Sequence, residues 1–135
     1  MKPMPWKEQY SVGVKEIDRQ HRGLLDIINQ IINSIEKKDK WQSTSAIIDS
    51  LINYAYNHFA TEERYMIEAE YPELSWHVGL HLAFIRKVFL MSEEYKQKGL
   101  AMQKEILTYL ASWYSSHVLE VDRKYMSYMD KKGIK

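Results

Sequence analysis

The sequence predicts an all-α protein, an antiparallel up-down four-helix bundle with an extended N-terminal arm and a short C-terminal helical segment. Apolar residues recur alternately four and three positions apart in four segments, which is the period of an amphipathic helix. Five glycines and three prolines in 135 residues, with a hydrophobic content of 45%, suit a compact helical protein. The links between the segments are short, and short links join antiparallel neighbours in a bundle.

The first element is an arm over residues 1–15, because Pro3, Pro5 and Gly13 accompany a stretch without helical period. Trp6 is one of the side chains that we expect to anchor this arm. The helical segments follow, over about residues 17–37, 41–69, 74–98 and 100–119. A short helical turn is expected over about residues 122–130.

The links between these helices have their own signals. The run Lys37-Lys-Asp-Lys40 is polar and predicts a turn. Pro72 breaks the chain between the second and third helices, because proline cannot occupy a helix interior. Gly99 ends the third helix as its C-cap residue.

Length, charge and composition narrow the classes of function. At 135 residues we expect a single domain over residues 1–135 that buries its own core. A net charge of +1 with interspersed lysine and glutamate argues against nucleic-acid binding. The chain has no cysteine, which excludes disulfides, iron–sulfur clusters and thiolate metal sites and fits a cytoplasmic location. No apolar run approaches the length of a membrane span, and the first residues lack the apolar core of a signal peptide.

Every histidine of the chain fits one metal-ligand pattern. The five histidines and two carboxylates fall on the inward stripes of the four predicted helices. The seven candidate ligands are His21, His58, Glu62, His77, His81, His117 and Asp122. Together they are the ligand supply of a two-metal site inside a helical bundle.

Two of the spacings place pairs of ligands on one helix face. His58 and Glu62, like His77 and His81, are four residues apart and therefore differ by only about 40° around a helix axis. An inward carboxylate loses its hydration, and a bound cation removes that penalty.

The spacing of His117 and Asp122 is different. Five residues correspond to about 140° on a regular α-helix, which would put the two side chains on different faces. The inward period nevertheless resumes at Asp122, Tyr125 and Met129, so the stripe has slipped by one residue. We therefore predict an irregular helix between His117 and Asp122, in the form of a π-bulge or a break followed by a restart.

A count of donor atoms predicts one open coordination position. Five imidazole nitrogens, four oxygens from two bridging carboxylates and one bridging oxide or hydroxide shared by both ions fill eleven of the twelve positions of two octahedra. An empty position at a two-metal centre can take a small molecule. Nitrogen and oxygen donors suit iron, manganese, zinc or copper, and two tetrahedral zinc ions bridged by hydroxide would also fit.

Nearly the whole chain resembles the hemerythrins, in particular the single-domain bacterial ones. The matching motifs are Trp6 with Tyr10-Ser-Val-Gly13, Ile17-Asp18 with His21, His58-x3-Glu62 followed by Glu63 and Met66, Tyr71-Pro72, His77-x3-His81 with Phe84, and Trp113-x3-His117-x4-Asp122. The resemblance implies a non-heme di-iron centre, two iron ions with a bridging oxo or hydroxo group, that binds O2 reversibly.

The resemblance also implies a role for each candidate ligand. The coordinatively saturated iron would be held by His77, His81 and His117, the iron with the open position by His21 and His58, and both irons by the bridging Glu62 and Asp122. Imidazoles outnumber carboxylates five to two, and fewer anionic donors disfavour the high-valent iron that cleaves the O–O bond.

A dry pocket should surround the open position, because water or protons reaching the bound O2 would release it in reduced form, as hydrogen peroxide, and leave ferric iron. The residues expected to line this O2 pocket are Leu24, Leu25, Phe59, Trp113, Tyr114 and Val118. The family commonly has leucine where this chain has Tyr114, which shares a face with His117. A phenol there either plugs a solvent tunnel or delivers protons.

The function that we expect is reversible O2 binding by a monomeric cytoplasmic carrier, store or buffer rather than catalysis by an enzyme. Small anions could also occupy the open iron position, and no protein partner is identified. Two other classes remain open. One is a di-iron oxidase, peroxidase or nitric-oxide-handling enzyme, and the other is an O2 or redox sensor or an iron-buffering module.

Overall fold

The computed structural model describes residues 1–135 and contains helices and no strands, which confirms the all-α class. Three long α-helices come first: α1 (Lys15–Glu36), α2 (Trp41–Glu68) and α3 (Leu74–Lys98). Two shorter ones follow: α4 (Gln103–Trp113) and α5 (Met126–Lys131). None of these helices combines the length and the apolar character that crossing a membrane requires.

Short turns join the long helices. Lys38 and Glu70 adopt left-handed backbone angles, with φ of 58° and 56°, at the two positions where the chain reverses. Pro72 lies between α2 and α3, as its missing N–H group requires. Gly99 ends α3 with φ of 54°, a conformation that glycine adopts without a Cβ clash.

The last third of the chain changes helix type repeatedly. A 3₁₀ turn, Gly99–Met102, precedes α4, a π-helix over Tyr114–Val121 follows it, and a 3₁₀ turn over Asp122–Tyr125 leads into α5. The sequence predicts one helix over about residues 100–119, whereas regular α-helix covers only α4 within that range. The irregularity predicted between His117 and Asp122 is confirmed, because the π-helix provides the extra residue per turn that the slipped apolar stripe needs.

Two apolar clusters fill the interior. The larger has twenty buried residues, among them Leu24, Phe59 and Val118, and the smaller has nine, among them Ile17 and Tyr125. The inward stripes of α1, of α2 and of the chain from α4 to α5 pass from one cluster to the other. The buried histidine, glutamate and aspartate side chains fall between the two clusters along the helices, so apolar packing lies on both sides of them.

The N-terminal segment before α1 contains one 3₁₀ turn, Glu8–Tyr10, and lies along α1. The backbone of Met4 both donates to and accepts from the Asn29 side chain, at 2.7 Å in each case. The Asp18 carboxylate accepts from the backbone N–H of Val12 at 2.8 Å, which fixes the entry into the helix. These bonds tie the segment to the outer side of α1.

Candidate metal centre

All seven candidate ligands are buried, and the structure brings them together in one place. Each of the three long helices and the irregular segment after α4 contributes at least one of them. Their donor atoms form two groups. One group contains Glu62, His77, His81, His117 and Asp122, and the other contains His21, His58, Glu62 and Asp122.

The two carboxylates belong to both groups. Oε2 of Glu62 lies 3.3 Å from Nε2 of His21, whereas Oε1 lies 2.9 Å from Nε2 of His81. Asp122 divides its oxygens in the same way, with Oδ2 at 3.1 Å from Nε2 of His21 and Oδ1 at 2.9 Å from Nε2 of His77. Each carboxylate therefore presents one oxygen to each group, as a bridge between two ions requires.

The spacing of the donors fits bound cations. The nitrogen–oxygen distances within the two groups are 2.9 to 3.4 Å. Ligand atoms about 2.1 Å from one ion and at right angles are about 3.0 Å from each other. Most of these nitrogen and oxygen atoms are buried but make no hydrogen bond. Buried polar atoms normally have a partner, so these atoms are placed to bind a common ion rather than one another.

The electrostatic field of the site attracts positive charge. Burial by itself lowers the pKa of His21, but its close contacts with Asp122 and Glu62 and the charges of both carboxylates outweigh burial and raise the pKa to about 9. The pKa of His77 is raised to about 9 by the same balance. Burial opposes ionisation of Glu62, yet the nearby imidazoles hold its pKa well below the ordinary value. Two ionised carboxylates at the centre of the site are therefore placed to bind cations.

Two of the histidines have a hydrogen-bond partner on the ring nitrogen that faces away from the centre. Nδ1 of His58 lies 2.7 Å from Oε1 of Gln20, and Nδ1 of His81 lies 2.8 Å from Oε2 of Glu63. Such partners fix the ring orientation and the tautomer of a metal-ligating imidazole. The sequence had shown that Glu63 follows Glu62, but the distance to His81 depends on how α2 packs against α3.

Two tyrosines bond directly to the site. Tyr125, one turn after Asp122, donates to Oε2 of Glu62 at 2.9 Å and stacks on the ring of His77. Tyr114 donates to the backbone carbonyl of His21 at 3.0 Å. The inward period marks Tyr125 as a core residue, and no signal in the sequence identifies Glu62 as its acceptor.

Aromatic rings cover the histidines on the side of the larger cluster. Phe59 stacks on His81 with ring centroids 3.8 Å apart, and Trp113 stacks on His117 at 4.9 Å. The six residues expected to line an O2 pocket are all buried in this cluster: Leu24, Leu25, Phe59, Trp113, Tyr114 and Val118. The structure thus places apolar side chains against the metal-binding groups, which limits the access of water.

A cavity of about 210 Å³ lies on the outer side of Tyr114, between the N-terminal segment and the helices. Its lining includes Pro3, Pro5 and Tyr10 from the segment and Leu25 and Tyr114 from the interior. Tyr114 thus lines this cavity and also bonds to the backbone of the candidate ligand His21. Burial, together with the charge of Asp122, raises the pKa of Tyr114, so its hydroxyl keeps its proton.

Known proteins match this chain over most of its length. The family model for the hemerythrin HHE cation binding domain matches residues 12–129. A bacteriohemerythrin of Clostridium acetobutylicum is 34% identical over 127 residues, which cover 90% of this chain and 97% of that protein. A bacteriohemerythrin of Stenotrophomonas maltophilia is 30% identical over 123 residues, 89% of this chain and 77% of that protein. The crystal structure of a hemerythrin mutant superimposes with a TM-score of 0.84 at 20% identity, over 96% of this chain and 98% of the other.

Proposed function

This chain belongs to the hemerythrin family, and from that premise we propose that it binds O2 reversibly at a non-heme di-iron centre. One observation carries the proposal. Two groups of buried donors share Glu62 and Asp122, and each carboxylate directs one oxygen to each group. Two ions held by common bridges need this arrangement, whereas a single ion would need only one of the two groups.

The number of donors differs between the two groups, and this difference supports an open position. The group with His77, His81 and His117 has five donor residues, and the group with His21 and His58 has four. A bridging oxo or hydroxo group would add one donor to each, which completes an octahedron at the first ion and leaves one position open at the second. The open position would therefore be at the iron held by His21 and His58.

The surroundings of the site favour a small uncharged ligand. The proposed O2 pocket is lined by buried side chains, five of them apolar or aromatic without a hydroxyl. The sixth, Tyr114, has its proton engaged by the His21 carbonyl. A dry lining would protect reversible binding, because water and protons would release the bound O2 as hydrogen peroxide and leave ferric iron. Small anions would compete for the same open position.

We propose that α1, α2, α3 and the helical segment that begins with α4 form an antiparallel up-down four-helix bundle. The segment before α1 would be its N-terminal arm, residues 122–130 its short C-terminal helical segment, and residues 1–135 one hemerythrin-like domain. A monomeric state and a cytoplasmic location stay predictions.

Reversible binding and catalysis predict different behaviour of the iron. We expect two iron ions per chain and a charge-transfer band that appears when the reduced protein meets O2 and vanishes under argon, over repeated cycles. The control variant His21→Ala removes one donor from the proposed open-position group and should abolish the band. A band that decays once and never returns would favour the oxidase or peroxidase alternative. Absence of bound iron would overturn the centre itself.

A further inference from the structure

Two of the candidate ligands have hydrogen-bond partners of different charge. His81, in the five-donor group, faces the carboxylate of Glu63, whereas His58, in the four-donor group, faces the neutral amide of Gln20. The two bonds have nearly the same length, 2.8 and 2.7 Å. The main difference between them is therefore one negative charge.

The orientation of Gln20 can be derived from its second contact. Its Nε2 donates to the hydroxyl of Thr61 at 3.2 Å, which leaves Oε1 to face the ring of His58. An amide oxygen can only accept, so Nδ1 of His58 carries the proton and Nε2 is free for a metal ion. The carboxylate of Glu63 is likewise an acceptor, which sets the same tautomer in His81.

The charge of Glu63 is not neutralised by a cationic side chain. Its one ionic contact is with Nδ1 of His81, and neither lysine nor arginine pairs with it. Its side chain is 29% exposed, at the wall of a narrow cleft between α2 and α3. Six of the eight residues lining this cleft are hydrophobic, and the cleft volume is about 190 Å³. Such surroundings screen a charge less than open solvent does.

We propose that Glu63 is a positioning residue that holds His81 and makes the ion bound by His77, His81 and His117 the more electron-rich of the two. The neutral Gln20 holds His58 without adding charge to the other ion. The inference rests on the proposed di-iron centre and adds to it an electronic difference between its two positions. An anionic acceptor strengthens the donor character of an imidazole, and a stronger donor favours ferric over ferrous iron.

A reciprocal pair of substitutions separates charge from geometry. Glu63→Gln keeps an oxygen that can accept from His81 but removes the charge, and Gln20→Glu adds a charge beside His58. Loss of an outer partner costs about 10–100-fold in metal affinity, and we take a tenfold change in the ratio of ferric to ferrous affinity. That change corresponds to about 59 mV for one electron.

A redox titration of the iron-loaded protein tests the inference. Glu63→Gln should raise the midpoint potential by about 59 mV, Gln20→Glu should lower it by a similar amount, and the double variant should return close to the original value. The matched control is Glu68→Gln, which makes the same change in charge at an exposed position of α2 and should shift the potential little. A shift in Glu63→Gln no larger than that of Glu68→Gln would overturn the proposal, as would shifts of the same sign in both members of the pair.

A second readout does not depend on O2. In the zinc-loaded protein the Nδ1 proton of His81 should give a slowly exchanging, downfield NMR resonance that moves upfield in Glu63→Gln and stays in place in Glu68→Gln. An unchanged resonance in Glu63→Gln would refute the contact. If the potentials and the resonance behave as expected but the band under O2 is not reversible, the proposed function fails and this inference stands.

Discussion

Removal of iron by a chelator is expected to cost the protein much of its folding stability. Seven donor atoms that face the centre are buried without a hydrogen-bond partner: Nε2 of His58, His77, His81 and His117, Oε1 of Glu62, and both carboxylate oxygens of Asp122. A buried polar atom without a partner costs about 1–3 kcal/mol, so seven of them would cost about 7–20 kcal/mol. The whole stability of a domain is about 5–15 kcal/mol.

In the iron-free protein, bound protons reduce the cost of these unpartnered atoms and make the folding stability depend on pH. The pKa of His21 and of His77 is raised from 6.5 to about 9 by the two carboxylates. A raised pKa contributes stability that is fully present below the unfolded-state pKa and is lost as the pH rises through the folded-state pKa. The iron-free protein should therefore lose stability between pH 6.5 and pH 9.

Urea unfolding followed by circular dichroism measures both effects. We expect the iron-free protein to be at least about 4 kcal/mol less stable than the iron-loaded protein, with part of the loss reversed by added zinc. The loss should be larger at the alkaline end of the pH range.

Three substitutions test particular contacts. Tyr114→Phe should leave the decay rate of the O2-induced band unchanged, whereas Tyr114→Ala should accelerate the decay several-fold by opening the outer cavity towards the site. Equal rates in the two variants and the unmodified protein would show that the ring is irrelevant. Gly23→Ala should lower the free energy of unfolding by about 1–3 kcal/mol, because the added Cβ would lie 2.0 Å from the Tyr54 hydroxyl oxygen. The loss should shrink in a Tyr54→Phe background, and a full loss there would contradict this contact. Tyr95→Phe should leave the free energy of unfolding in urea unchanged or raise it by up to about 1 kcal/mol, because the Tyr95 hydroxyl is buried without a partner. A clear loss of stability would reveal a partner for that hydroxyl.

Periodicity in the sequence was enough to predict the helical class and the residues that the structure brings together. His58 with Glu62 and His77 with His81 repeat at the spacing of one helical turn, so a single helix already places each pair. The burial of a carboxylate among apolar residues is itself a signal, because it is costly without a cation. These features are local, and local features are readable from one chain.

The outer partners of the ligands could not be predicted in the same way. Gln20 meets His58 and Glu63 meets His81 only through the packing of one helix against another, over 38 and 18 residues of sequence separation. Glu63 looks like any other surface glutamate on a polar helix face. Its position relative to His81 depends on the rotation of α2 against α3. The apolar stripes predict which faces of the two helices pack together, but not which individual side chains come into contact.

The π-helix shows most directly that the metal-binding residues, rather than local helix preference, determine the backbone of this segment. The backbone N–H of Asp122 donates to the carbonyl of His117, five residues earlier, and this bond brings Oδ1 of Asp122 to 3.2 Å from Nε2 of His117. A regular α-helix would bond Asp122 to Val118 instead and turn its carboxylate about 140° away from His117. In such a regular helix, either Trp113 and His117 would turn away from the interior, or Asp122 and the residues after it would do so. π-Turns are rare and less favourable than α-turns. This segment contains one because the side chains of His117 and Asp122 must both reach the same centre.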